Sequence, residues 1–305
     1  MDDLAYVSTA QVSRALGVGV TTVKRWVDDG ILPAHRTVGG HRKLLLADVL
    51  RLVRESDFPQ LDLAQLHPSL PSGRVVNEGK LSRDLFTALR HGESETARIL
   101  IDAAYRSGLH AATLADGVVA PAMHRIGVEW EAGRIDVMHE HRATQICLES
   151  LYALKYQLLM QAARDRPVAV GGVPEGHLHA LASQLVELVL LEGGWSPVNL
   201  GPNTPFASFR KALVELQPRL LWLSVNRVEN PAAFLSAYRD LYEHAHKAGI
   251  PVAIGGPGLT EELRAAMPYT TYGDGLTHLA DFAASLHPRP RRRPRGRPRG
   301  SSSKD

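Results

Sequence analysis

The stretch that decides the fold is PVAVGGVPEGHLHALA, residues 167–182. A short apolar run with branched residues ends in glycines and is followed by a stretch with helical pattern. Three further runs repeat the theme: SPVNLG (196–201), RLLWLSV (219–225) and PVAIGG (251–256). Each ends in glycine, polar residues or a turn signal. Helical stretches at 179–192, 204–216 and 231–248 lie between them, and a shorter fifth unit lies near 269–286. Regular strand–helix alternation predicts an α/β domain over residues 166–287, with a parallel sheet covered on both faces. Ligands of such sheets bind in the crevice at the carboxyl ends of the strands.

Outward from that domain, residues 79–165 are rich in Leu, Ala and charged residues at helical spacing. Four helices are expected, roughly at 79–91, 94–106, 110–131 and 136–163. Stripes such as Ala97, Leu100, Ile101 and Ala104 suit a helix bundle. Residues 57–78 hold three prolines and little periodicity, and read as a linker. Residues 1–56 form a separate compact helical unit. Residues 288–305 are a low-complexity basic tail with too little apolar surface to order itself.

The 305 residues fit two or three domains, and 44% apolar content is ordinary for a globular chain. No apolar run approaches the ~20 residues that span a bilayer. The N-terminus lacks the apolar core of a secretory signal. Cys147 is the one cysteine, which excludes a disulfide framework and a cysteine-rich zinc site. No membrane association and a cytoplasmic, nucleoid-associated bacterial location are therefore expected. The net charge of +3 hides an asymmetry: the tail carries eight basic side chains against one acidic, so the remainder is net negative. Bulk charge is thus no sign that the folded part binds nucleic acid.

That sign lies in STAQVSRALGVGVTTVKRWVDD, residues 8–29. Ala10, Val12 and Leu16 supply the inner face of one helix, and Gly17–Val18 a tight turn. Val20, Val23 and Trp26 supply the inner face of the next, with Thr21 or Thr22 as cap. Its outer face carries Thr21, Thr22, Lys24 and Arg25, donors suited to phosphates and base edges in the major groove. A basic hairpin follows, with Arg36, His41, Arg42 and Lys43 about a Gly39–Gly40 turn, and a further helix from Asp48. The wing pattern R-x-x-G-G-H-R stands at Arg36, Gly39, Gly40, His41 and Arg42. Over residues 7–55 the chain resembles the MerR/excisionase-type winged helix-turn-helix, which implies a double-stranded DNA operator as partner. Arg295-Gly296-Arg297-Pro298 in the tail resembles an AT-hook core; a nonspecific basic tail held by counterion release is the alternative.

In the α/β domain, His179 follows the first strand, at the rim where cofactors bind, and a neutral imidazole there can ligate a metal. Ser224 ends the third strand. Gly255 and Gly256 end the fourth, where absent side chains let a large planar group approach. The set resembles the Rossmann-like (flavodoxin-like) cobalamin-binding domain, with its pattern D-x-H-x-x-G, then S-x-L, then G-G. The gaps, 183–223 before Ser224 and 227–254 before Gly255, fit that family. The resemblance implies that His179 is the lower cobalt ligand, and that Ser224, Gly255 and Gly256 line a slot for the cofactor's nucleotide tail. His177 stands where an acid orients the ligand imidazole; either Glu175 substitutes or His177 competes as ligand. Ala182 replaces the motif's glycine and Asn226 its leucine.

Within the bundle, Trp130, Glu140 and His141 match the W-x(9)-E-H spacing of the CarH/LitR-type light-dependent regulators. That resemblance implies a bundle covering the upper face of adenosylcobalamin. Glu131 stands where those regulators carry a second histidine. The whole chain then reads as a multidomain, non-enzymatic transcriptional regulator: winged helix-turn-helix (1–56), four-helix bundle (79–165), cobalamin domain (166–287). The expected action is repression. Adenosylcobalamin would control a homo-oligomer, dimer or tetramer, with light as trigger. Three alternatives fit parts of the pattern: a light-insensitive cobalamin sensor, a regulator with a degenerate cofactor domain acting through protein contacts, and a corrinoid methyl carrier.

Overall fold

The computed structural model describes residues 6–36, 42–46, 48, 49, 52, 66, 77–160, 165–176 and 178–287. Ser8 opens the first helix with a capping box: its hydroxyl accepts from the Gln11 N–H, and the Gln11 side chain accepts from the Ser8 N–H. Helix α1 (Thr9–Leu16) ends at Gly17, whose φ of 64° glycine adopts without strain. Helix α2 (Val20–Asp28) follows. Strands β1 (Tyr6–Ser8), β2 (Ala34–Arg36) and β3 (Arg42–Leu45) form an antiparallel sheet in the order β1-β3-β2. The unit is therefore not purely α-helical: the expected hairpin gains β1 as a third strand, because Val7 and Leu44 pair across it and are both buried.

Three expectations in this unit are corrected. Thr21 and Thr22 do not cap α2; they lie beyond the cap position, which Gly19 takes without a side-chain bond. Ala10 and Val20 face solvent, and Ala15 joins Val12, Leu16 and Val23 in the core. Of the helix expected from Asp48, Leu46, Asp48, Val49 and Leu52 are helical and the rest lies outside the described residues. So do the wing turn with Gly39, Gly40 and His41, most of the linker, and the basic tail.

The bundle matches its expected outline. It comprises α3 (Glu78–His91), α4 (Ser94–Arg106), α5 (Ala111–Leu114), α6 (Ala120–Glu131) and α7 (Val137–Met160). Asn77 caps α3 by accepting from the Lys80 N–H. Ala97, Leu100, Ile101 and Ala104 are all buried. One feature was not anticipated: α5 and α6 are joined by a π-helical turn, Ala115–Val119. Pro121, at the start of α6, explains it. A proline ring clashes with the carbonyl four residues back, here Gly117, and a wider turn removes the clash.

The α/β domain places β4 (Val168–Gly172), β5 (Ser196–Asn199), β6 (Leu220–Ser224), β7 (Val252–Gly255) and β8 (Thr271–Gly273) in one parallel sheet, ordered β5-β4-β6-β7-β8. The order reverses between β4 and β6, the switch point at which ligands of doubly wound sheets bind. Helices α8 (Leu181–Glu192), α9 (Phe206–Leu216), α10 (Pro231–Lys247), α11 (Glu261–Ala265) and α12 (Leu276–Leu286) connect and cover the strands. The short α11, capped by Thr260, was not foreseen.

Bundle and sheet domain share a core: Leu185, Leu188 and Val189 of α8 belong to the apolar cluster built by the bundle helices. A polar chain crosses the same interface. Lys155 Nζ of α7 lies 2.6 Å from Glu187 Oε1 of α8, and the Glu187 side chain is only 5% exposed. Asn199 donates to Glu187 (3.4 Å), Ser183 donates to Asn199 (2.9 Å), and the Trp222 indole N–H reaches the Ser183 hydroxyl (3.5 Å). Removing one member of a buried pair leaves the other uncompensated. Glu187→Ala is expected to cost about 2–3 kcal/mol in denaturant unfolding, and the Glu187→Ala/Lys155→Met double variant less than the sum of the single costs. Additive costs would show that the pair does not couple the two layers.

Candidate functional site

At the carboxyl edge of the sheet three adjacent strands end in small residues that stand side by side: Ser224 of β6 is in register with Gly255 of β7, and Gly255 with Gly273 of β8. A cavity of about 240 Å³ opens there. Ser224, Gly255 and Gly256 line it, together with Trp222 and Ala253 from the sheet and Ala182 and Leu185 from α8. Ala182 occupies the position the motif gives to glycine. The close packing leaves no room for larger residues. A Cβ at Gly255 would lie 3.0 Å from the Gly273 carbonyl, and one at Gly256, where φ is 116°, would run into the Val225 carbonyl oxygen. Helix α12 adds Leu276 and Leu279, and the π turn of the bundle adds Ala115 and Asp116.

Sequence reasoning thus found three residues of this slot and missed others. Gly273 was legible as a third strand-ending glycine, in TYGDG. Asp116 was not, because it lies over 100 residues upstream of Ser224 and no motif carries it.

His179 stands just before α8 and is exposed. Its backbone carbonyl accepts from Asn226 Nδ2 at 3.4 Å. The loop that carries it is also tied at Gly176, whose N–H donates to Asn203 Oδ1 at 2.9 Å. Asn226, a departure from the family leucine, therefore steadies the histidine loop. His177 lies outside the described residues, and Glu175 is exposed. Among the described residues no three His, Cys, Asp or Glu side chains gather as a metal cage. His179 is not among the residues that line the cavity; the histidine that lines it is the exposed His278, whose Nε2 lies 3.2 Å from the Thr271 hydroxyl. Cys147 is buried, and burial pushes its thiol up to about 12, so it packs rather than ligates.

Trp130, in the last turn of α6, is 45% exposed, and Glu140 and His141 stand in the first turn of α7. Glu140 accepts from the Thr144 hydroxyl (3.0 Å), and His141 Nε2 lies 3.6 Å from its other oxygen. Val128, Val137 and Met138 are also exposed at these two helix ends.

In the N-terminal unit Thr21, Lys24 and Arg25 are exposed on α2, with Thr22 partly covered. Arg42 is engaged within the chain. Its guanidinium pairs with Asp28 (2.7 Å) and donates to the Lys24 carbonyl (3.1 Å), which pins the wing strand to α2. Lys43 lies between Ser8 and His35 on β3, and Arg36 is paired with Arg42 across the hairpin.

Comparison with known proteins agrees with this arrangement. The family described as a helix-turn-helix domain matches residues 6–57, and the family described as a B12 binding domain matches residues 81–155. The HTH-type transcriptional repressor CarA of Myxococcus xanthus is 30% identical over 266 residues, covering 83% of this chain and 88% of that protein. The dimethylamine corrinoid protein of Methanosarcina barkeri is 21% identical, covering 69% of this chain and 99% of its own length. The solved structure of the Methanosarcina barkeri monomethylamine corrinoid protein superposes with a TM-score of 0.57 at 16% identity, over 68% of this chain and 98% of that one. At that identity the likeness shows the fold alone. No helix among the described residues is long and apolar enough to cross a membrane.

The slot depends on its glycines. Gly256→Ala combines a disfavoured φ with a clash against Val225 and is expected to lower unfolding free energy by about 2–3 kcal/mol. An unchanged denaturation midpoint would show that the β7 loop relaxes freely.

Proposed function

The chain belongs to the CarA family of helix-turn-helix transcriptional regulators that carry a B12-binding domain, and from that premise we propose that it represses transcription under the control of adenosylcobalamin. The observation that carries the reading is the slot of small residues at the sheet's carboxyl edge, faced by the bundle and borne on the same chain as a winged helix. His179 would hold the cobalt through its imidazole. Ser224, Gly255 and Gly256 receive the nucleotide tail. Trp130, Glu140 and His141 cover the upper group, a role that the exposed apolar ends of α6 and α7 support. When bound, adenosylcobalamin supplies a cobalt–carbon bond that light breaks. Glu131, in place of a second histidine, offers a carboxylate rather than an imidazole at that face.

Thr21, Thr22, Lys24 and Arg25 read and grip the operator from α2, while the wing with Arg36, His41 and Lys43 holds backbone phosphate. Arg42 serves chiefly to fix the angle between wing and helix. The chain acts as a homo-oligomer, dimer or tetramer, when the cofactor is held. Pairing several winged helices raises operator affinity through effective concentration. A ligand shifts such an assembly only through its differential affinity for the two states. Contacts from both bundle and sheet to one ligand supply that difference. The role is regulatory, not enzymatic.

Two substitutions test the assignment. His179→Ala is expected to lower cobalamin retention, read as visible absorbance after desalting. Arg25→Ala is expected to weaken operator retardation about tenfold without releasing cofactor. Unchanged retention together with unchanged retardation would refute the site assignment.

A further inference from the structure

The bundle's share of the slot has a consequence of its own. Helix α12 begins at Leu276, and the residue before it, Gly275, offers no side-chain cap. The cap comes instead from Asp116, in the bundle's π turn, about 160 residues away. Asp116 Oδ1 accepts from the Leu276 N–H (2.8 Å), and Oδ2 accepts from the Thr277 N–H (2.8 Å) and the Thr277 hydroxyl (2.9 Å). A carboxylate at a helix N-terminus is favoured by both hydrogen bonding and the helix dipole. The approach needs glycine at 275, where a Cβ would stand 2.9 Å from Asp116 Oδ2. Asp116 itself lines the cavity, as do Leu276 and Leu279 of the helix it caps and Ala115 beside it. One side chain thus joins the bundle turn to the helix that walls the slot.

We propose that Asp116 is a positioning residue for the cofactor's nucleotide tail, its cap on α12 closing the slot and docking the bundle in a single step. The inference rests on the cobalamin reading above. If docking the bundle tightens the hold on the tail, the tail strengthens docking by the same factor. The slot is then part of the switch as well as the anchor, and signals from the lower side of the ring reach the bundle without passing through its upper face.

The test compares two corrinoids on the full chain in darkness: cobalamin, and cobinamide, which has the same ring and no nucleotide tail. Binding is followed by visible absorbance after equilibrium dialysis. Asp116→Ala is expected to weaken cobalamin binding about tenfold and cobinamide binding, which loses only the bundle's docking, by no more than about threefold. Asp116→Asn, which keeps the volume and one acceptor oxygen, is expected to fall between. Equal weakening of both corrinoids, or unchanged cobalamin binding by a folded variant, overturns the proposal. Should Asp116→Ala not fold, Asp116→Asn decides by the same comparison. An unsubstituted chain that takes up neither corrinoid fails the cobalamin reading itself, and that failure is distinct.

Discussion

A cavity within the edge of a parallel sheet exists only where neighbouring strands end in residues too small to fill it. Here Ser224, Gly255 and Gly273 stand abreast on three strands, and Gly256 turns away at a φ of 116° that few other residues tolerate. Elements of both the α/β domain and the bundle meet at that gap. The loop before α8 that carries His179 is tied down through Asn226 and Asn203. Two helices wall the gap, and the bundle reaches it through a turn that departs from α-helical geometry because a proline follows.

Of the polar contacts that hold the bundle against the sheet domain, among them the Ala111 N–H to Glu192, two lead back to the gap. The chain from Lys155 through Glu187, Asn199 and Ser183 ends on the indole of Trp222, which lines the cavity. The Asp116 carboxylate ends on α12, which lines it too. Such contacts are directional: they are satisfied in one docked position and lost in most others. An apolar interface alone tolerates sliding. A directional one favours one docked position, which is what the proposed control by a ligand requires.

Much of this was legible in the sequence because periodicity and motif spacing are local. The strand runs, the bundle helices and the positions of Ser224, Gly255 and Gly256 follow from residues close to one another in the chain. The misreadings have a shared cause, the facing of side chains near element ends. Val20 has the chemistry of a core residue, yet at the first position of α2 it is exposed, and on α1 Ala15 is buried while Ala10 is not. Thr21 and Thr22 are good caps that come two and three residues too late. Arg42 is basic and on the wing, but Asp28 claims it. The contribution of Asp116 was hidden for a different reason: a cap supplied to a helix 160 residues away leaves no local signature.

The proposed cofactor would join bundle to sheet and thereby set how many winged helices act together. Size-exclusion chromatography with in-line visible absorbance, on the full chain loaded with adenosylcobalamin, tests this most directly when run in darkness and again after green light. The expected result is a corrin band travelling with a larger species in the dark and a shift to a smaller one after illumination. A chain that carries no corrin band, or one whose elution is the same with and without cofactor and light, contradicts it.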